Sequence, residues 1–384
     1  MRVLVITNLY PPQELGGYGR SLADFVWGLQ QRGHRVDVLS SNAPYLGPEE
    51  NGPSGEQVWR DLLLKGSFDG GLQLLDDPAA CARVDGHNAR VIQRKLEGSD
   101  YQGILLGNID LLGPELLPAV LEPLIPVLHH VGFISPPFQP QHWPQASHYT
   151  LVAASDAVRR SLSAAGLPVA TCPVVYPGAR LELFGSDPYR RWRAAPLGQP
   201  SNPLKLCFAG LLMASKGAHT LLRAAVQLHK QGIAVQLNLA GSAFQADYWP
   251  NLQALAHAEG LADRMRWYGP LDRRKLARFF QLHQVGVFPS EYPEAFGIVA
   301  AEIQASGLAL VSSAVGGAAE LFEHGVSGLA FQPGQADDLA QQLRLLVENP
   351  PLLNQLQWEG WHRVRERFSV GTAAAALEAL WLNG

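Results

Sequence analysis

Short apolar runs alternate with segments of helical period along the whole chain, and the alternation falls into two sets. In the first set, Arg2 to Thr7 is continuously apolar through Val3, Leu4, Val5 and Ile6, the pattern of a strand covered on both faces. A helix follows from about Gly19, with Leu22, Phe25, Val26 and Leu29 on one stripe, and it stops at Gly33 after Arg32. Val36–Ser40 returns as a second strand, and Ile104–Leu106, Ile125–His129, Leu151–Ala154 and Val174–Tyr176 read as further strands. Residues 43–80, crowded with Gly, Pro and Asp, break this rhythm and read as loops and short elements.

Between Gly178 and Pro203 the chain has four prolines, several arginines and no apolar period, which predicts a linker. The second set then begins. Its strands are Leu204–Ala209, Val235–Ala240, Met265–Tyr268, Val285–Phe288 and Leu308–Ser312, and helices fit near 217–231, 249–260, 272–283, 297–306 and 336–348. The tail from Pro351 to Leu382 is helical and rich in Ala, Leu, Trp and Arg. Such alternation predicts an α/β protein of two Rossmann-like domains, each a parallel sheet with crossover helices. The expected boundaries are residues 1–178, a linker at 179–203 and a second domain at 204–368, with the tail helix 369–382 a candidate to fold back on the first domain.

A length of 384 residues suits two such cores. Hydrophobic residues at 47% and charged residues at 17% describe an ordered globular chain. A net charge of −4 gives no electrostatic case for nucleic acid. Arg159-Arg160, Arg190-Arg191 and Arg273-Arg274-Lys275 are local basic runs that read most simply as solvated faces. Cys81, Cys172 and Cys207 lie in or beside apolar sequence at no metal or redox spacing, so buried free thiols in a reducing compartment are expected. Met1 to Ile6 is too short an apolar run for a signal peptide. The longest apolar stretch, Ile109 to Phe133, holds Asp110, Glu115, Glu122 and four prolines and does not suit a bilayer span. A cytoplasmic protein with at most peripheral membrane contact is the expectation.

Several chemistries are unsupported. Leu22 stands where a dinucleotide fingerprint beginning Gly17-Tyr18-Gly19 needs a third glycine, and no Walker A, His-Glu-x-x-His, Cys-x-x-Cys or Asp-x-Asp sequence occurs. The strongest positive signal is Glu294-Ala295-Phe296-Gly297-Ile298-Val299-Ala300-Ala301-Glu302. It follows the strand ending at Phe288 and opens a helix near Gly297, the strand-to-helix turn where α/β ligands bind. The N–H groups of Phe296, Gly297 and Ile298 suit a phosphate. A carboxylate on either side can grip a vicinal diol, so the turn fits a nucleotide-sugar. Alone, the pair reads more readily as two solvated acids near a helix start.

The surroundings extend this signal. Pro289-Ser290-Glu291-Tyr292-Pro293-Glu294-Ala295-Phe296-Gly297 through Glu302, Ala305-Ser306-Gly307, Val315-Gly316-Gly317-Ala318-Ala319-Glu320-Leu321 and Gly325-Val326-Ser327-Gly328 resemble the retaining glycosyltransferases of family 4. Tyr10-Pro11-Pro12, Gly16-Gly17, Gly33-His34-Arg35-Val36 and Val175-Tyr176-Pro177-Gly178-Ala179 to Phe184 also look like that family. The resemblance spans the chain, is most specific from 285 to 330 and weakest from 43 to 100.

The resemblance implies a GT-B fold, two Rossmann-like domains with parallel sheets facing across a cleft. It implies transfer of a sugar from a nucleoside diphosphate, a UDP- or GDP-sugar, to a sugar, lipid-linked or small-molecule acceptor with retention at the anomeric carbon. The second domain then takes the donor and the first the acceptor, with no cofactor beyond the substrate and no metal. Glu302 holds the ribose and Glu294 the donor sugar, while Gly16 and Gly17 let the backbone approach the diphosphate and acceptor without a Cβ in the way. Lys216 matches the lysine that neutralises the departing diphosphate. His129 and His130 end a strand where the family has a histidine near the sugar, and His130 is preferred. In the family's proposed mechanism the leaving phosphate helps deprotonate the acceptor, so no protein base is required. One departure stands out, for Leu211 follows Gly210 where the family has an arginine. A sugar phosphorylase and a catalytically weakened nucleotide-sugar-binding protein are the rival readings.

Overall fold

The computed structural model describes residues 1–69, 71–188 and 196–383. The Arg190-Arg191 pair, within the segment read as a linker, lies outside the described residues. The chain divides into two compact units, Met1–Pro177 with Val370–Gly384, and Gly178–Ser369.

The first unit is built on β1 (Arg2–Ile6), β2 (Arg35–Ser41), β3 (Val58–Leu62), a two-residue hairpin of β4 (Gly66–Ser67) and β5 (Gln73–Leu74), β6 (Gly103–Leu106), β7 (Val127–Val131) and β8 (Tyr149–Ala153). The six longer strands make a parallel sheet in the order β3-β2-β1-β6-β7-β8. Val3, Leu4, Val5 and Ile6 of β1 are fully buried, as their unbroken apolar run requires. The helices are α1 (Tyr18–Gln31), α2 (Pro78–Leu96), α3 (Leu117–Leu121) and α4 (Asp156–Ala164). Strand β7 starts two residues later than the apolar run suggests. Pro126 has no N–H to give a ladder, and its carbonyl instead accepts from Ile104 N at 2.9 Å. Val174 makes only an isolated bridge to Ala153, so the strand expected at 174–176 does not form.

The second unit carries α5 (Leu181–Phe184), α6 (Ala218–Lys230), α7 (Tyr248–Ala258), α8 (Arg273–Phe280), α9 (Ile298–Ala305), α10 (Ala336–Glu348) and α11 (Pro350–Arg367). Its strands are β9 (Leu204–Ala209), β10 (Val235–Ala240), β11 (Met265–Trp267), β12 (Val285–Phe288), β13 (Ala309–Ser312) and β14 (Leu329–Ala330), parallel in the order β11-β10-β9-β12-β13-β14. The segment expected as a linker groups with this unit from Gly178 on: Ala179 N donates to Phe368 O at 2.7 Å, and Phe184 of α5 is fully buried.

The helical tail breaks after Phe368, and its last part, α12 (Val370–Asn383), belongs to the first unit. There it lies along α1. A Cβ on Gly28 would sit 2.8 Å from that of Ala374, so only a glycine lets the helices approach this closely. Arg32 pairs with Glu378, and His34 Nε2 lies 2.9 Å from the same carboxylate. Of the cysteines only Cys207, on β9, is buried; Cys81 and Cys172 are half-exposed, contrary to expectation, because they sit on α2 and a loop at the edge of the core. No described helix is long and apolar enough to cross a membrane.

In both sheets the order of strands reverses between two central neighbours, β1 and β6 in one and β9 and β12 in the other. Loops leaving such a pair diverge and open a crevice at the carboxyl edge.

Candidate functional site

At the second sheet's reversal point, the loop after β9 carries Lys216 and the loop after β12 carries Glu294. Lys216 Nζ lies 2.6 Å from Glu294 Oε1, and Ser290 Oγ donates to the same oxygen at 2.5 Å. The two loops are stitched by backbone. Glu291 N donates to Ser215 O at 2.8 Å, and Thr220 Oγ1 donates to Glu291 Oε1 at 2.7 Å. Gly217, with φ +70°, ends the short turn that presents Lys216; a Cβ there would fall 1.9 Å from Pro289 O. Glu294 is also held from behind, since Gly317 N donates to Glu294 O at 2.7 Å. At Gly316, φ +61°, a Cβ would lie 2.3 Å from that same oxygen. The Val315-Gly316-Gly317 sequence thus fixes the Glu294 backbone from which the carboxylate projects.

Gly297, left-handed at φ +94°, turns the chain into α9. The Phe296 side chain is buried against Phe368, with ring centroids 5.9 Å apart, so only its backbone faces the turn. Ile298 opens the helix. One turn further, Glu302 is 1% exposed, and Arg273 Nη2 of α8 lies 3.4 Å from its Oε1. A guanidinium beside a carboxylate this deep offsets part of the cost of burying the charge. Lys216, Glu294, Phe296, Gly297, Ile298 and Glu302 therefore gather along one carboxyl edge, with Leu211 on the same β9 loop.

In the first unit, Gly16 takes φ +73° with open space where a Cβ would be, and Gly17 caps α1. Both histidines of β7 are buried. His130 Nε2 donates to Val175 O at 2.9 Å, and Nδ1 lies 3.3 Å from Tyr18 Oη. Burial pushes the His130 pKa down to about 4, with the Val175 carbonyl opposing. His129, whose Nδ1 is 2.7 Å from Tyr149 Oη, is pushed to about 3 by burial and by its neighbour His130. Both imidazoles are thus neutral at physiological pH. They line a pocket at the carboxyl end of β6 and β7, together with Asn108, Asp110, Phe133 and Ser135. Tyr18 ties this pocket to the glycine loop: its hydroxyl donates to His130 O, and its ring fills the space a Cβ on Gly132 would need.

The sequence pattern gave no site role to Ser290, Tyr18 or Asp110, and it marked Arg273 as part of a solvated face, whereas its guanidinium lies beside the buried Glu302. Ser290 lies inside the quoted motif and could have been found there. The others come from helices or loops whose local pattern carries no chemical signature.

The family model described as glycosyl transferases group 1 matches residues 192–361. The glycogen synthase of Mycobacterium tuberculosis (strain ATCC 25618 / H37Rv) is 26% identical over 410 residues, spanning 100% of this chain and 94% of that protein. The D-inositol 3-phosphate glycosyltransferase of Arthrobacter sp. (strain FB24) is 32% identical over 216 residues, 54% of this chain and 49%, about half, of that one. Among solved structures, Anabaena Alr3699/HepE in complex with UDP aligns over 100% of both chains with a TM-score of 0.75 at 20% identity. The same protein in complex with UDP-glucose aligns with a TM-score of 0.72.

Proposed function

We propose that this chain, which has the GT-B fold and whose residues 192–361 match the family model of glycosyl transferases group 1, moves a hexosyl group from a UDP- or GDP-sugar to an acceptor hydroxyl with retention. The observation that carries the reading is the 2.6 Å contact of Lys216 with Glu294 at the reversal point of the second sheet. A sugar diphosphate needs a cation for its phosphates and a hydrogen-bond acceptor for its sugar hydroxyls, side by side. This pair supplies both, already oriented by Ser290 and the turn at Gly316. On binding, the diphosphate takes the ammonium from Glu294, and the freed carboxylate turns to the sugar.

In the transfer step the bond from the anomeric carbon to the β-phosphate oxygen breaks. The acceptor oxygen bonds that carbon on the same face, and its proton passes to the departing phosphate. Lys216 and the N–H groups at Phe296, Gly297 and Ile298 stabilise the charge that develops on the diphosphate. Glu302 holds the ribose hydroxyls from beneath. The first unit supplies the acceptor site, where Gly16 and Gly17 keep the backbone thin and His130 enters as a neutral wall of the pocket. With a lysine and a helix terminus providing the positive charge, no divalent metal is required. Three free thiols fit a reducing, cytoplasmic setting.

A thermal-shift screen against UDP-, GDP- and ADP-sugars tests the donor, since a ligand that binds only the folded state raises apparent stability. The matching sugar should stabilise the wild type, and Glu302→Ala should weaken its binding by about 1–3 kcal/mol. No stabilisation by any donor, or full affinity in Glu302→Ala, defeats the assignment. Turnover should survive excess EDTA.

A further inference from the structure

We propose that His219 is a positioning residue of the donor site: by bridging Tyr248 and Glu291 it sets the turn that presents Lys216 to the diphosphate. The inference rests on the reading that this site takes a nucleoside diphosphate, and it names a residue that acts through Lys216.

Lys216 stands on the turn between β9 and α6, and two neighbouring loops hold that turn. On one side is the loop from β10 to α7. Leu212 N donates to Ser242 O at 2.8 Å, and Phe244 N donates to Leu212 O at 3.2 Å. Ala214 N donates to Gln245 Oε1 at 2.8 Å. On the other side is the loop after β12, which holds Ser215 O through Glu291 N and runs on to Glu294. The two holds meet at His219, in the first turn of α6. Its N–H donates to Tyr248 Oη at 3.1 Å, and its Nδ1 lies 2.9 Å from the same hydroxyl. Its Nε2 lies 3.2 Å from Glu291 Oε1.

The chemistry of the ring fixes the direction of each bond. Burial pushes the His219 pKa down, with Glu291 opposing and Arg223 adding to the shift, so the imidazole is neutral at physiological pH. A carboxylate only accepts, so the single ring proton sits on Nε2 and is given to Glu291. Nδ1 is then an acceptor, and it takes the proton of Tyr248, a hydroxyl that burial keeps protonated. Thr220 Oγ1 adds a second donor to the same Glu291 oxygen. Both ring nitrogens of His219 are thus committed to the two loops, and neither has a bond to offer a diphosphate.

The role that remains is to hold the lysine's turn in place. An ammonium on a flexible four-carbon stem is only as well placed as the backbone that carries it. Small misplacements of a charge-stabilising group carry large penalties, because its effect depends on where the charge develops.

The test titrates UDP, GDP and ADP into the full chain by calorimetry. For the nucleotide that binds, His219→Leu should weaken affinity about tenfold, within the range of couplings between contacting residues. His219→Gln keeps a donor for Glu291 and should recover most of that loss. Tyr248→Phe keeps the ring, removes the hydroxyl and should weaken binding in the same direction. In a Lys216→Ala background, His219→Leu and Tyr248→Phe should each change affinity by less than about twofold, because both act through the lysine. Unchanged affinity in His219→Leu, no recovery in His219→Gln, or equal losses with and without Lys216 each overturns the proposal. Should His219→Leu fail to fold, Tyr248→Phe decides the same comparison, and equal losses there overturn the proposal too. A wild type that binds none of the three nucleotides overturns the donor-site reading, and this role with it.

Discussion

His129 and His130 bind no proton in the folded chain until about pH 3 and about pH 4, whereas an unfolded histidine takes one near pH 6.5. Their folded pKa values lie below the unfolded ones, so they cost nothing above pH 6.5. Stability should fall as pH drops from there towards 4, by about 1.4 kcal/mol per pH unit for each ring. Thermal unfolding followed across that window should show the decline in wild type and a shallower one in His130→Asn; parallel slopes would contradict the assignment. At Lys216 the charge matters directly. Removing one fixed stabiliser of a developing charge costs on the order of 100- to 1,000-fold in turnover, so Lys216→Ala should keep its fold and lose nearly all transfer. Leu211→Arg, on the same loop, should raise turnover and partly restore Lys216→Ala. A Lys216→Ala protein retaining more than about a tenth of wild-type turnover would exclude the lysine as the leaving-group cation. Glu294 and Glu302 were legible in the sequence because their spacing brackets a helix start. Asp110 was not, since it became meaningful only when the fold brought β1 and β6 together and placed a pocket beside them.

Among the elements, the turn between β9 and α6 bears the tightest constraint. Gly217 holds φ +70° with its Cα against Pro289 O, so Gly217→Ala adds both a strained backbone and a clash. Strain of this kind costs about 1–3 kcal/mol. The variant should unfold at lower denaturant concentration and also lose turnover, because relief of the clash moves Lys216 away from Glu294. Wild-type values for both would refute this account of the turn. The central strands were readable because strands buried on both faces show as unbroken apolar runs. At the edge, β3 was hidden because one of its inward positions is Arg60, which donates to the carbonyls of Tyr10 and Pro11 at 3.0 and 2.9 Å. A buried guanidinium serving backbone oxygens looks, in a sequence, like a solvated charge. Helix α2 escaped notice for a related reason: it buries only Asn88, Val91, Ile92 and Leu96. Asp77, accepting from Ala79 N and Ala80 N, and Pro78 at the first helical position nevertheless mark its start.

At the scale of the whole molecule, each unit has its own sheet and core, yet the first is completed by residues 370–383. Val370, Ala373, Ala374, Leu377 and Trp381 are the buried face of α12, and Arg32 and His34 reach across to Glu378. Ending the chain after Ser369 should therefore lower the unfolding temperature of the first unit while the second unit still binds donor. Calorimetry with and without the nucleotide-sugar separates the two transitions, and an unchanged first-unit transition would show that α12 contributes nothing there. The same return of the chain governs how the protein is born. Residues 178–369 are translated between the two parts of the first unit. At 5–20 residues per second the ribosome spends about 10–40 s on them. Through that interval the face of α1 around Gly28 stands uncovered, within reach of chaperones and of neighbouring nascent chains. The first half of the molecule to emerge is thus the last to be finished.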